Sequence, residues 1–350
     1  VAEPVRVGVV GTGTGTVHIE VFQRMSGVEV VGVCSARPER AAAVAERFSL
    51  PVATDDYGDL LSDGIDAVVV ATPPASHAEI GLAAIAAGKH VLMEKPFTPT
   101  LGEARALRDA ARDAGIVHMM NLQDRFIPAY WETHRFVQSG YLGKLVAADI
   151  LVARNPRDYL SGTKASDSKL AWFTDGSQGG GILANSNGPH LVDRLRWLCG
   201  PVVEVAAETF VGQPNLTLKD GRRVENITAP DGFAVLLRFA NGAVGTLRGV
   251  PIPYHGDTNG LELHGDRGSL VVGPDLILRG ATSEDQGLKE LPVPGDPDER
   301  LTIATRFVEA IQRGGPAPNP NFDDGFAMQA ILDATQRAAS SGRWEPVEME

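Results

Sequence analysis

Val5-Arg6-Val7-Gly8-Val9-Val10-Gly11-Thr12-Gly13-Thr14-Gly15-Thr16 decides the fold. Its first six residues form a short valine-rich run, the pattern of a buried strand. Glycines then break the run, and a helical stretch follows near Val17 to Met25. Strand, Gly-x-Gly turn and helix, in that order, are the setting for pyrophosphate binding. The second glycine lets backbone approach the phosphates, which rest on N–H groups at the helix start. Gly11, Thr12, Gly13, Thr14, Gly15 and Thr16 are therefore candidate cofactor contacts. The third glycine of Gly-x-Gly-x-x-Gly would fall at Thr16, with Gly15 just before it, so the match is imperfect there.

The rest of the first half keeps the same alternation. Val28 to Cys34, Ala67 to Ala71, His90 to Met93 and Ile116 to Met120 read as strands. Helical stretches separate several of them: Pro38 to Phe48, Ser76 to Ala87 stopped by Gly88, and a stripe of Leu101, Ala104, Leu107, Ala111 and Ala114. Thr100 and Glu103 have the spacing of a capping box for that last helix. This is an α/β region with a doubly wound, mostly parallel sheet. The second half changes rhythm. Leu145 to Val152 is a long strand, and Phe233, Val235, Leu237 and Phe239 alternate before an Asn241-Gly242 turn and a return over Val244 to Val250. Leu261 to Leu263 and Leu270 to Val272 flank another turn, and residues 280–300 read as a surface excursion. Leu301 to Gln312 and Phe326 to Ala339 are helical. The expectation is an α+β region on a large, mostly antiparallel open sheet, with domains at 1–122 and 123–350 and the last helices packing back on the first domain.

Composition sets limits on partners. The 350 residues suffice for two cores, and 32 basic against 44 acidic residues give a net charge of −12. That balance argues against a nucleic-acid or anionic-membrane partner. No apolar run reaches the length of a membrane span. Cys34 and Cys199 lie in apolar runs and read as buried thiols of a reducing compartment. Val1-Ala2-Glu3-Pro4 leads straight into the first strand without a signal core, so the expected location is cytoplasmic. The 39 glycines are not periodic, which directs attention to where they sit.

Four further constellations carry chemistry. The second strand ends in Cys34-Ser35-Ala36-Arg37, with Arg40 beyond. An NAD site usually has an acidic residue there for the ribose 2′-hydroxyl, whereas a hydroxyl and guanidinium suit a 2′-phosphate. Ser35, Arg37 and Arg40 thus favour NADP, with NAD the alternative. Thr72, Pro73, Pro74 and His77 follow the strand ending at Ala71, at the carboxyl edge where ligands bind in such sheets. Glu94-Lys95-Pro96 follows the next strand, so Lys95 points into the same crevice and can hydrogen-bond a reacting oxygen. Finally, Gly179-Gly180-Gly181 leads to His190 at a helix start, with Asp193 three residues on to orient the imidazole for proton relay. Arg125, Tyr159 and Trp172 are candidate substrate contacts, and no metal site is expected.

These motifs together resemble the Gfo/Idh/MocA family of NAD(P)-dependent oxidoreductases over nearly the whole chain. The resemblance rests on the glycine loop, Ala71-Thr72-Pro73-Pro74 with His77, Glu94-Lys95-Pro96, Trp172, the glycine run, His190-Leu191-Val192-Asp193 and Gly265-Asp266-Arg267-Gly268-Ser269-Leu270. It implies an N-terminal Rossmann domain and a C-terminal α+β domain whose sheet often forms an oligomer interface, here a dimer or tetramer. It also implies hydride transfer at hydroxyl or keto carbons of sugars, cyclitols and related molecules, with Lys95 and His190 as the active-site lysine and histidine. Where the family often has Asp four residues before that histidine, this chain has Ser186, preceded by Asn185, and either could face the substrate. The nucleotide loop is also about one residue tight before His18. The altered carboxylate position keeps two other readings open: an NAD-dependent glycosidase working through transient oxidation, and a non-catalytic dinucleotide sensor.

Overall fold

The computed structural model describes residues 3–155, 173–176, 181, 187–251, 258–295 and 298–349. It divides into two compact units, Val1–Phe126 with Pro297–Gln329, and Ile127–Asp296 with Ala330–Glu350.

The first unit is a six-stranded, wholly parallel sheet: β1 (Val5–Val10), β2 (Val28–Cys34), β3 (Val52–Thr54), β4 (Ala67–Val70), β5 (His90–Met93) and β6 (His118–Met120). The spatial order is β3-β2-β1-β4-β5-β6. The chain therefore reverses direction across the sheet at β1 and β4, which places a ligand crevice outside their carboxyl ends. β4 is buried on both faces, as its unbroken apolar run requires. The crossovers are α1 (Gly15–Gln23), α2 (Pro38–Phe48), α3 (His77–Ala86) and α4 (Leu101–Ala114). α4 starts on the expected capping box, with Thr100 and Glu103 satisfying each other's backbone N–H groups.

A cut at 122/123 does not divide this unit from the next. The chain runs on in the first unit to Phe126, and residues 297–329 return to it. α5 (Pro128–Gln138) and α6 (Gly188–Cys199) belong to the second unit, whereas α7 (Glu299–Arg313) belongs to the first. α7 is capped by Asp298, buries Ile303, Ala304, Phe307 and Val308, and packs on α1. α8 (Phe322–Ser341) begins in the first unit: His118 Nδ1 accepts from the Phe322 N–H at 3.1 Å, and Phe322 packs against Phe97 and His118. Accepting that bond requires a bare ring nitrogen, and burial holds the His118 pKa down at about 4. Residues of α8 beyond Gln329 belong to the second unit.

The second unit carries a nine-stranded mixed sheet. Its strands are β7 (Leu145–Ala153), β8 (Val202–Phe210), β11 (Gly232–Phe239), β12 (Val244–Val250), β13 (Thr258–Gly265), β14 (Gly268–Val272), β15 (Leu278–Thr282), β16 (Lys289–Glu290) and β17 (Glu345–Pro346). Leu216–Thr217 (β9) and Arg223–Val224 (β10) form a separate small ribbon. The order is β16-β15-β14-β13-β7-β12-β11-β8-β17, and among the described residues only β7 and β12 pair in parallel. The expected 280–300 excursion begins with a short hairpin. Asp285 accepts from the Thr282 N–H at 2.8 Å and from Lys289 Nζ at 2.6 Å, which closes β15 and β16 into a hairpin.

β11 and β12 alternate as half-buried strands do. Phe233, Val235, Leu237 and Phe239 point inward, while Leu236 and Val244 on the other face are 50% and 54% exposed. Cys34 and Cys199 are buried and unbridged, and burial pushes their thiols up to about 11 and about 12. Among the described residues no helix is long and apolar enough to cross a membrane, and no cluster could hold a metal ion.

Candidate active site

At Gly11 and Gly15 the glycine loop follows from contacts that leave no room for side chains. Gly11 sits at φ +117°, and a Cβ there would lie 2.3 Å from the Ala71 carbonyl oxygen. Its N–H donates to Cys34 O at 2.8 Å, tying the ends of β1 and β2 together. Gly13 and Thr14 are exposed, and a Cβ on Gly13 would meet nothing within 4 Å. Backbone at Gly13 is thus open to a ligand at the start of α1. Gly15 supplies what Thr16 was expected to lack. A Cβ at Gly15 would stand 3.0 Å from Val9 Cγ1, so this glycine lets α1 lie close on β1. The Thr16 hydroxyl donates to Gly13 O at 2.9 Å and holds the turn.

At the end of β2, Ser35 receives the Thr12 hydroxyl at 3.4 Å and the Arg37 N–H at 3.3 Å. Arg37 and Arg40 are exposed, and among the described residues neither is in an ion pair. An open glycine cradle, a helix start and unpaired guanidinium groups beyond β2 together fit a dinucleotide.

The loops after β4 and β5 are braced by His77. Its Nε2 lies 2.9 Å from Thr72 O, and its Nδ1 lies 3.0 Å from Pro96 O and 3.1 Å from Phe97 O. The sequence places His77 among the cofactor contacts. Its ring is fully buried and engaged on both nitrogens, and it ties Thr72 to the Pro96–Phe97 turn. Burial lowers its pKa despite those carbonyls. Thr72 accepts from the Ser76 hydroxyl at 2.8 Å; Pro73 is exposed and Pro74 buried.

Lys95 is half-buried, directly after β5, and the residue before it is the centre of a buried network. Glu94 is 7% exposed. Its Oε1 accepts from His18 Nε2 at 2.8 Å and from Asn121 Nδ2 at 2.6 Å, and its Oε2 faces the Lys95 N–H at 3.3 Å. Burial raises the carboxyl pKa, but the His18 bond and charge, the Lys95 charge and the Asn121 amide outweigh it and hold it at about 2. His18 and Asn121 are the residues that motif reading missed. The available signal was positional: both follow elements that open on the carboxyl edge of the sheet, as Glu94 does.

Arg125, expected as a substrate contact, is engaged within the fold. It is 3% exposed and pairs with Asp324 at 2.9 Å, within the first unit. In the second unit His190 and Asp193 lie on the buried face of α6, and Asp193 stands 4.0 Å from Arg196 Nη2. α6 is seated on α5 by aromatic contacts: His134 stacks on Trp197 at 4.2 Å, and the Arg194 guanidinium lies 3.6 Å over the Tyr130 ring. Tyr159, Trp172, Asn185 and Ser186 fall outside the described residues.

Comparison with known proteins agrees with the fold. Residues 5–122 match the oxidoreductase family with an NAD-binding Rossmann fold, and residues 130–271 match the GFO/IDH/MocA C-terminal domain. Levoglucosan dehydrogenase of Pseudarthrobacter phenanthrenivorans is 32% identical over 90% of this chain and 88% of its own. The chain belongs to the Gfo/Idh/MocA family. It is an oxidoreductase with an NAD-binding Rossmann unit. 1,5-Anhydro-D-fructose reductase of Ensifer adhaerens is 30% identical over 93% of both chains. The solved structure of levoglucosan dehydrogenase with NADH and levoglucosan superposes with a TM-score of 0.86, at 28% identity, covering 99% of this chain and all of that one.

Proposed function

We propose that this family member transfers hydride between NADP and a secondary hydroxyl or keto carbon of a sugar, cyclitol or similar polyol. The observation that carries the reaction is Lys95, half-buried after β5 beside an ionised, hydrogen-bonded Glu94. Relatives named for levoglucosan, 1,5-anhydro-D-fructose and inositol support a polyhydroxylated ring as substrate. A bound nicotinamide dinucleotide supplies the redox chemistry. Gly11 and Gly13 admit its phosphates to the start of α1. Lys95 hydrogen-bonds the reacting oxygen, lowering the cost of charge that develops there. His190 relays the proton, and Asn185 or Ser186 hydrogen-bonds a substrate hydroxyl. Turnover on a panel of such substrates tests this reading.

Preference for NADP rests on Ser35, Arg37 and Arg40. Structures of levoglucosan dehydrogenase hold NADH, so the residues after β2 are where this chain would differ in use. Asp55, Asp56 and Asp59 also bear on this corner, since their charges help raise the Cys34 pKa. Asp56 and Asp59 are turned to local donors, the Gly58 N–H and the Thr54 hydroxyl. Arg37→Ala is expected to cut kcat/KM for NADP by about 10- to 100-fold, the value of a charge-assisted bond, and to leave NAD within about twofold. Equal losses for both dinucleotides would contradict a 2′-phosphate contact.

A second copy of the chain is the proposed partner of the open sheet face. Leu151, Phe210, Leu236 and Val244 are exposed large apolar side chains on four adjacent strands, β7, β8, β11 and β12. Light scattering that returned the 37.1 kDa mass of a single chain would contradict this.

A further inference from the structure

Charges on the open face of the nine-stranded sheet fall into two kinds. Arg238 on β11 is answered within the chain: it pairs with Glu204 on β8, and its guanidinium lies 4.2 Å over the Trp344 ring. Asp149 on β7 and Glu262 on β13 are not answered in this way. They stand directly opposite each other in the antiparallel ladder, and their chain neighbours Ala148, Ile150, Leu261 and Leu263 take the buried side. Like charges so placed repel. Thr246 on β12 gives Asp149 its hydroxyl, and His264 Nε2 stands 3.4 Å from a Glu262 oxygen. Among the described residues neither carboxylate is paired with a lysine or arginine. Arg248 on β12 is in register with Leu151, two positions along β7 from Asp149. It is exposed and, among the described residues, in no ion pair. Charge on a strand can guard a sheet edge, but β13, β7 and β12 are central in the strand order. Leu151, Leu236 and Val244 set these charges among exposed apolar side chains. An apolar face that carries an uncompensated acidic pair beside an uncompensated arginine is complementary to itself.

We propose that two chains meet on this face with Arg248 of one copy against the Asp149–Glu262 carboxylates of the other. This rests on the reading of the open face as the site of a second copy, and names the charges that set its register. A two-fold contact repeats each pairing, so both Arg248 side chains are answered and both acidic pairs are relieved. Arginine suits the role, because its planar guanidinium presents separate N–H edges to neighbouring carboxylates. The apolar side chains supply contact area without direction, whereas the charges fix orientation and reject a partner of the wrong sign.

Sedimentation velocity on the full chain, over a series of protein concentrations, tests this. Arg248→Glu should raise the dissociation constant by about 100-fold, since it sets acid against acid at both repeats of the contact. Asp149→Lys combined with Glu262→Lys should weaken association to a similar degree, by setting base against base. Neither variant should then pair with itself. An equal mixture of the two should associate within about tenfold of wild type, because both repeats are attractive again. A mixture of folded variants that stays dissociated overturns the proposal, and so does an Arg248→Glu chain that associates like wild type. Arg248→Ala removes the charge without adding repulsion, and decides the matter should a charge-reversed chain fail to fold. Association about tenfold weaker is expected for it, and unchanged association overturns the proposal. A wild-type chain that stays single at every concentration removes the second-copy reading itself. Wild-type association that Arg248→Ala leaves unmoved removes the charge register alone.

Discussion

Lys95→Ala should lower kcat/KM by about a thousandfold, while dinucleotide affinity stays within about threefold. The lysine follows β5 at the carboxyl edge of the parallel sheet, where a side chain can reach substrate without touching the phosphate cradle around Gly11 and Gly13. In the proposed mechanism its ammonium acts on charge that develops as the reaction proceeds. The loss should therefore fall in kcat as well as kcat/KM, and not in KM alone. Steady-state kinetics at saturating dinucleotide, with affinity measured separately by fluorescence titration, separates the two. Lys95→Arg should recover only part of the activity, because a planar guanidinium cannot replace a compact ammonium at one oxygen.

Arg125→Ala should destabilise the protein by about 3–5 kcal/mol, the cost of leaving one partner of a buried ion pair uncompensated. The side chains of Arg125 and Asp324 are 4% and 11% exposed. Their bond joins the turn after β6 to the first turn of α8, 199 residues away in sequence. Asp324 also accepts from the Asn321 N–H at 2.9 Å, so losing Arg125 loosens the helix start as well. Urea unfolding should show the midpoint falling, with Asp324→Asn giving a smaller drop. If Arg125 contacted substrate instead, KM would rise with stability unchanged.

The contrast between these residues shows what the sequence could carry. Val5–Val10 and the glycine loop were legible because a buried strand and a tight βα turn are local patterns, and the Thr100/Glu103 capping box is another. β3 has only three residues, and half-buried β8 lacks the apolar run that marks β4; both were missed. Gly15 was undervalued for a different reason. The motif counts positions, whereas the physical need is a small residue where α1 crosses Val9, and one residue's shift in the helix start meets it. The ion pair of Arg125 was not legible because its partner lies far away in the chain. Asp324 becomes visible only when residues 297–329 return to the first unit. The Glu94 network is likewise long-range: His18 lies 76 residues and Asn121 27 residues from it. Each looked ordinary alone, and only the parallel sheet, by bringing the ends of successive βα units to one edge, makes them neighbours.

The most direct measurement is absorbance at about 340 nm, where reduced nicotinamide absorbs, with NADP or NAD and a panel of anhydrosugars, aldoses and cyclitols. The account predicts net reduction of NADP on at least one cyclic polyol, one equivalent per keto group formed, abolished by Lys95→Ala. Tight binding of both dinucleotides with no net reduction or oxidation across polyols and their keto forms would contradict it.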